Sequence, residues 1–438
     1  MKSLDVTIAN AGLAQERLDA LAQRLVPELD QIRTNIRGER YATPYAFAQV
    51  PDDKELVARV TELVRKKKNM QPAMLIVVGI GGSNFGTQAI QQLVLGTLYN
   101  DMQQAMPVYY ADTTDSDYMQ SLLTLARTAL QAGKEIVINV VSKSGKTTET
   151  IANFELFLAL LKQERPTSYA DALVVTTDEG SLLWQLATVN GWDLLAVPKL
   201  LGGRYSVFSA VGLFPLGMLG IVLDDVLQGA RAMRDRCIAA HDNPAVQLAA
   251  WQVALIDYDA NVQNMFLFGH DLFSFGGWWR QLNAESLAKA QMRTGQRNTK
   301  AFLPITSLGS VDLHSIGQLF LADVLPIATS FVSVAQSHAT LTLPAYSSFD
   351  ALVPHMQNKR LDVIDQALLM GVQRAYKERG LPFVSITLPE KTAYAAGQLL
   401  QLYMHQVVYI AALLAVNPFD QPEVERYKEQ TRRILAHE

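Results

Sequence analysis

Two hydrophobic rhythms divide the chain. Near the start, Leu13, Leu18, Leu21, Leu25 and Leu29 recur at helical spacing, and Leu56, Val57, Val60, Leu63 and Val64 repeat the pattern just before Arg65-Lys66-Lys67-Lys68. Residues 1–72 therefore read as a helical N-terminal segment, with the basic run as a solvated cap at a helix end. From Met74 onward short apolar runs alternate with helical periods, the pattern of a parallel sheet wrapped by helices. Strands are predicted at 74–79, 108–112, 135–141, 173–177 and 194–197, and helices at 84–98, 114–131, 148–163 and 180–190. A helical region after 202–220 runs to about 262, and the alternation restarts with strands at 264–268, 302–305, 331–334 and 383–388. A long helix over 393–415, a turn at Asn417-Pro418 and a charged amphipathic helix from Glu423 follow. The class is α/β, and the blocks read from the sequence are 1–72, 73–225, 226–415 and 416–438.

Two strand ends carry candidate chemistry. After the run 74–78 comes Gly79-Ile80-Gly81-Gly82-Ser83-Asn84-Phe85-Gly86, a strand, a glycine turn and then a helix. That order offers bare N–H groups and a helix N-terminus to an anion, so a phosphate or sugar phosphate is the simplest ligand. The alternative is that the glycines only let the helix pack closely on its strand. After the run 136–141, Ser142, Ser144, Thr147, Thr148 and Thr150 put five hydroxyls at the join of a strand and a helix. Hydroxyls and helix-start N–H groups together wrap phosphate oxygens, although a Ser or Thr ahead of Glu149 also fits plain N-capping.

Nucleotide fingerprints are near misses. Asn84 stands where a dinucleotide motif needs its third glycine, and Asp112 lies somewhat far downstream for the ribose-binding acid. Gly145-Lys146-Thr147 supplies the tail of a P-loop, but Val140 occupies its first glycine position.

Composition narrows the classes. The 438 residues are long enough for two ordinary domains, and 49% hydrophobic with 18% charged residues describes a globular, not a disordered, chain. A net charge of −4 gives no general attraction for nucleic acid or an anionic membrane, so neither is expected as a partner. The single cysteine, Cys237, rules out an internal disulfide, and with no signal peptide evident a cytoplasmic location is expected. No apolar run reaches the roughly 18–20 residues that span a bilayer. No His-x-His or His-Glu-x-x-His spacing exists, so no metal site is expected.

The ordered set of motifs resembles the glucose-6-phosphate isomerase (phosphoglucose isomerase) family, of the shorter bacterial kind. It comprises Gly79-Ile80-Gly81-Gly82-Ser83, Ser142-Lys143-Ser144-Gly145, Thr147-Thr148-Glu149-Thr150, Gly202-Gly203-Arg204-Tyr205-Ser206, and Gln281 with Glu285-Ser286-Leu287. Asp312-Leu313-His314-Ser315, Asn417-Pro418-Phe419-Asp420-Gln421-Pro422 and Lys428 complete it. The resemblance implies two sugar-isomerase α/β domains, the glycolytic and gluconeogenic interconversion of glucose 6-phosphate and fructose 6-phosphate, and no cofactor. It implies Glu285 as the base that moves the carbon-bound proton, Arg204 as the cation on the enediolate, and His314 with Lys428 for ring opening. By the same resemblance Ser142, Lys143, Ser144 and Thr147, with Gly82 and Ser83, hold the phosphate, and Gln281 and Gln421 bind sugar hydroxyls or the phosphate. It further implies a homodimer in which His314 serves the neighbouring subunit.

Two residues depart from the family pattern. Lys146 stands where a hydroxyl is usual, and Ala288 where a glycine is usual, with a slight shift of Glu285 as the consequence expected of the added methyl. Two other readings stay open: a non-catalytic sugar-phosphate sensor, and a nucleotide-dependent enzyme.

Overall fold

The computed structural model describes residues 2–9, 12–102 and 106–437. Ten strands lie among them: β1 (Asp5–Ala9), β2 (Leu75–Val78), β3 (Val108–Ala111), β4 (Val137–Val141), β5 (Leu173–Asp178), β6 (Asp193–Val197), β7 (Val262–Phe268), β8 (Leu303–Gly309), β9 (Ile327–Gln336) and β10 (Phe383–Glu390). They form two five-stranded sheets, ordered β3-β2-β4-β5-β6 and β1-β10-β9-β7-β8. The chain divides into two units, residues 30–234 and residues 1–29 with 235–438. The α/β class expected from the alternation is the one observed.

In the first unit every strand pair is parallel, with Val78 opposite both Ala111 and Val140. β2 and β4 are buried along their whole length, which is why β2 reads as an unbroken apolar run and β4 as one interrupted only by Asn139, and neither alternates. Ile76, Val78, Ile138, Val140 and Val175 pack on residues of the helices Ser116–Gln131, Thr148–Glu164 and Leu182–Val189, including Leu122, Phe157 and Leu183. The first of these helices starts at Asp115, whose carboxylate accepts from Tyr118 N at 2.9 Å. The sheet order reverses between β2 and β4, so the loops leaving their carboxyl ends, 79–83 and 142–147, flank one switch point. Both sequence-derived anion candidates are these loops.

The second sheet is parallel except for β1, which runs antiparallel on its edge with Asp5 opposite Thr387 and Ala9 opposite Phe383. This corrects the reading of 1–72 as one helical segment. Val6 and Ile8 alternate with Asp5 and Thr7 over only five residues, too short a period-2 signal to stand out against the leucine-rich helices after it. The helix Ala393–Leu413 is buried almost throughout. Among the described residues no helix is long and apolar enough to cross a membrane.

The basic run also differs from its expected solvated cap. Arg65, Lys66, Lys67 and Lys68 do end the helix Lys54–Lys68, but Lys67 is fully buried. Its ammonium lies 2.7 Å from an Asp193 oxygen and also donates to Asp171 O, while Lys66 bonds Asp193 from the exposed side. Burial alone would raise the Asp193 pKa; the hydrogen bonds and charges of Lys66 and Lys67 outweigh it and hold the carboxyl below its usual range. A depressed carboxylate pKa contributes stability above the unfolded value and loses it as pH falls through the folded one. Lys67→Met is therefore expected to cost about 2 kcal/mol at neutral pH, less than the ~3–5 of a fully buried orphan because Asp193 keeps Lys66. Urea unfolding at pH 7 and pH 3 checks this: the gap between variant and wild type narrows in acid. A gap that widens in acid would count against the pairing.

Candidate active site

The loop after β2 is built to bring backbone close. Gly81 has φ +60°, and the turn Gly81–Ser83 leads through Asn84 into the helix Phe85–Leu95. A Cβ on Gly82 would lie 2.3 Å from Gly203 C and 2.6 Å from Arg204 N, so only glycine permits this contact. The glycine loop thus rests on the turn Gly203–Tyr205, and Ser206 Oγ, 2.7 Å from Gly203 O and 3.5 Å from Gly82 O, joins the two. Arg204 is buried, with its guanidinium 5.4 Å from the centre of the Tyr205 ring.

Asp112 is taken up inside this arrangement. Its carboxylate accepts from Asn84 Nδ2 at 2.7 Å and Gln88 Nε2 at 3.3 Å, which fixes the start of the helix. An acid so engaged is not the ribose-binding residue of a dinucleotide site.

The loop after β4 answers the capping question. Thr147 occupies the N-cap position of Thr148–Glu164, yet its side chain makes no cap bond. Its Oγ1 instead lies 3.1 Å from Ser142 Oγ, with Ser142 itself buried. Gly145, at φ +65°, donates from its N–H to Ser142 O at 3.0 Å, and Ser144 Oγ accepts from Lys146 N at 3.3 Å. Lys146 is exposed, while burial lowers the pKa of Lys143 against the pull of Asp178. Thr150, one turn into the helix, is buried and its Oγ1 has no hydrogen-bond partner. Thr150 is one of the five hydroxyls read at this join, but the resemblance gave it no phosphate contact, and hydroxyl spacing marks no difference between a capping and a ligand-binding Thr.

In the unit of residues 1–29 and 235–438, Gln281 and Glu285 sit one turn apart on the helix Phe273–Leu287, and Gln281 Nε2 donates to Glu285 Oε1 at 3.1 Å. Ala288 follows with φ −79° in an exposed position, so its methyl meets no strain and the expected shift of Glu285 has no structural cause here. Lys289 was not singled out from sequence. It is buried and donates to Glu285 O and, at 2.7 Å, to Asp420 O, while Ala290 N donates to Glu423 Oε1 at 3.1 Å. The end of the Glu285 helix is thereby fastened to the turn bearing Gln421 and to the helix Glu423–His437.

The remaining residues stand apart. Lys428 Nζ bonds Glu425 Oε1 at 2.7 Å on its own helix, and no bond to the Glu285 helix is found among the described residues. His314 ends the turn Val311–His314 and is exposed. Asp312 pins that turn by accepting from Leu308 N and Ser315 Oγ, both at 2.7 Å, and no hydrogen bond to the His314 ring is found among the described residues. Within their units, then, Gly82 and Ser83 meet the Arg204 turn, Ser142 meets Thr147, and Gln281 meets Glu285.

A family model described as phosphoglucose isomerase matches residues 65–438. Glucose-6-phosphate isomerases of Bacillus anthracis and Bacillus thuringiensis (strain Al Hakam) are each 31% identical over 393 residues, covering 88% of this chain and 84% of theirs. A crystal structure of a hypothetical protein from Thermus thermophilus aligns with TM-score 0.84 and 29% identity, over 99% of this chain and 100% of that one. A glucose-6-phosphate isomerase from Chlamydia trachomatis shares the fold, with TM-score 0.79 and 20% identity over 100% of this chain and 89% of its own.

Proposed function

This chain belongs to the phosphoglucose isomerase family, and we propose on that premise that it interconverts glucose 6-phosphate and fructose 6-phosphate with Glu285 as the base. The observation that carries the assignment is the Gln281–Glu285 pair, a carboxylate held by one amide on a helix whose end Lys289 fastens. Glu285 takes the proton from C2 of the open-chain aldose, and the electron pair moves to form the C1–C2 double bond of an enediolate. The same carboxyl returns the proton to C1, while the hydroxyl proton passes from O2 to O1 to leave the ketose. Arg204, permanently charged and buried, balances the developing oxyanion, so the step draws its positive charge from the chain itself. The Ser142, Ser144 and Thr147 hydroxyls, Ser83, the Gly82 and Lys143 backbone and the orphaned Thr150 hydroxyl hold the phosphate. Gln421 binds sugar hydroxyls. Lys428 assists ring opening, exchanging Glu425 for substrate; an exposed i,i+3 pair is worth about 0.5 kcal/mol, so the exchange costs little.

The test is a coupled assay for glucose 6-phosphate formed from fructose 6-phosphate, with neither metal nor nucleotide added. Turnover is expected; a folded protein without it would favour the sensor. A cytoplasmic location accompanies this substrate class and is supported by the single, buried and free cysteine.

The protein works as a homodimer in this reading, with His314 opening the ring in the partner subunit's site. Support comes from the rigid but exposed His314 turn, and from apolar surface on one segment: Leu341, Tyr346, Phe349 and Leu352 are all more than half exposed. Neither Glu285→Gln nor His314→Ala protein is active alone under this scheme. Mixed and exchanged, they are expected to regain about a quarter of wild-type activity, because half the dimers pair one intact Glu285 with one intact His314. No regain would place His314 in its own subunit's chemistry.

A further inference from the structure

The loop 142–147 rests on the end of β5 and the short segment after it. Thr177, wholly buried, donates to Ser142 O at 2.7 Å, with Lys143 O at 3.2 Å. Its oxygen is 3.0 Å from Ser181 Oγ, and Ser181 accepts from Trp184 N at 3.1 Å as the N-cap of Leu182–Val189. Each hydroxyl has one hydrogen, so with Thr177 donating to the loop, Ser181 donates to Thr177. The tip of the loop meets the same segment: a Cβ on Gly145 would lie 2.7 Å from Leu183 Cβ and 3.3 Å from Ser181 Oγ. Asp178 N adds a bond to Lys143 O at 3.0 Å. Stem and tip of the loop are therefore both seated on residues 177–183.

We propose that Thr177 is a positioning residue for phosphate recognition. Its hydroxyl, anchored on the Ser181 cap, sets the place of the Ser142 carbonyl, and through it the Ser142 and Thr147 hydroxyls that meet the phosphate. The proposal rests on the reading of 142–147 as the phosphate loop. Thr177 itself touches no substrate; it fixes the groups that do. A displaced loop weakens every phosphate contact alike, in the substrate and in inorganic phosphate, and leaves the proton transfer at Glu285 unchanged.

Valine matches threonine in shape, so Thr177→Val removes the hydroxyl and little else. Losing one buried hydrogen bond of this kind is expected to raise KM for fructose 6-phosphate and the inhibition constant of inorganic phosphate together, each about tenfold, with kcat within about twofold. Thr177→Ser keeps the donor and restores both constants. Thr176→Val is the structural control: Thr176 is equally buried, its carbonyl accepts from Ser142 N at 3.1 Å through a backbone bond that valine keeps, and its Oγ1 accepts from Asn139 Nδ2 at 3.0 Å, not from the loop. It is expected to lower Tm without moving either constant. Ser181→Ala, which cuts the anchor from the other side, shifts both constants in the same direction and serves if Thr177→Val does not fold. Ser142→Ala separates the two layers of the argument. If it raises both constants and Thr177→Val raises neither, the phosphate loop stands and the role of Thr177 is overturned. If neither variant moves them, the loop reading fails and takes the proposal with it.

Discussion

Glu285→Gln lowers kcat/KM for fructose 6-phosphate by about 10³–10⁴-fold, the range of a general base whose proton acceptor is removed. The substitution is the same size, and its amide oxygen still accepts from Gln281 Nε2, so the helix Phe273–Leu287 and its Lys289 fastening are retained. Tm is expected to stay within a degree or two, and KM to change little, since the carboxylate acts on a carbon-bound proton and not on the phosphate. Running the reaction in deuterated water sharpens the result. Wild type exchanges solvent deuterium into the sugar carbon; the variant loses exchange and isomerisation together. A variant as active as wild type would leave the reaction intact and move the base to another residue.

Gly82→Ala is expected to be the most damaging single-methyl change in the glycine loop after β2. The added Cβ falls 2.3 Å from Gly203 C and 2.6 Å from both Gly203 O and Arg204 N, where real contacts essentially never go below 3.0 Å. All three neighbours are backbone atoms, so no side chain can rotate out of the way, and the glycine loop or the arginine turn must move. Overpacking of this kind costs about 1–3 kcal/mol in stability. A displacement near 1 Å at Arg204 costs about 10²-fold in rate on top of that. Gly133→Ala separates packing from conformation: Gly133 has φ +75° but open space around its Cβ, so it carries only the backbone cost of about 1 kcal/mol and leaves kcat/KM untouched. Tm and kcat/KM for both variants decide it. Full activity in Gly82→Ala would mean that the seat of Gly82 on Gly203 is not what holds Arg204.

What could be read from the chain depends on how local each signal is. The buried strands β2, β4 and β5 were legible because a parallel strand covered on both faces is apolar along most of its length, with Asn139 in β4 and Thr176-Thr177-Asp178 ending β5 as the exceptions. The two loops at the switch point were legible for a related reason: glycines and hydroxyls concentrate where backbone must meet an anion. Partners distant in sequence left no such mark. Nothing about Lys67 in a basic run says that Asp193 will wait for it inside the sheet unit, and Lys289 reads as any helix-end lysine until Asp420 is found beside it. Thr177 is apolar-strand filler to any periodicity argument, and only the hydrogen bond to Ser142 O ties it to the site. Gln281 and Glu285 were reached only through the family resemblance, each with its own role, and their contact one helix turn apart is the structure's addition.

The edge pairing of β1 with β10 also bears on how the protein is made. A ribosome delivers residues 383–390 only on the order of tens of seconds after residues 5–9. The unit of residues 30–234 has all its strands once Val197 emerges, so it can complete its sheet during synthesis. The other unit cannot: its first strand waits, unpaired, for its last. A fusion that occludes residues 5–9 would therefore leave translation undisturbed and strike afterwards, when β10 is left as a bare sheet edge on finished chains and aggregation becomes the alternative to closure.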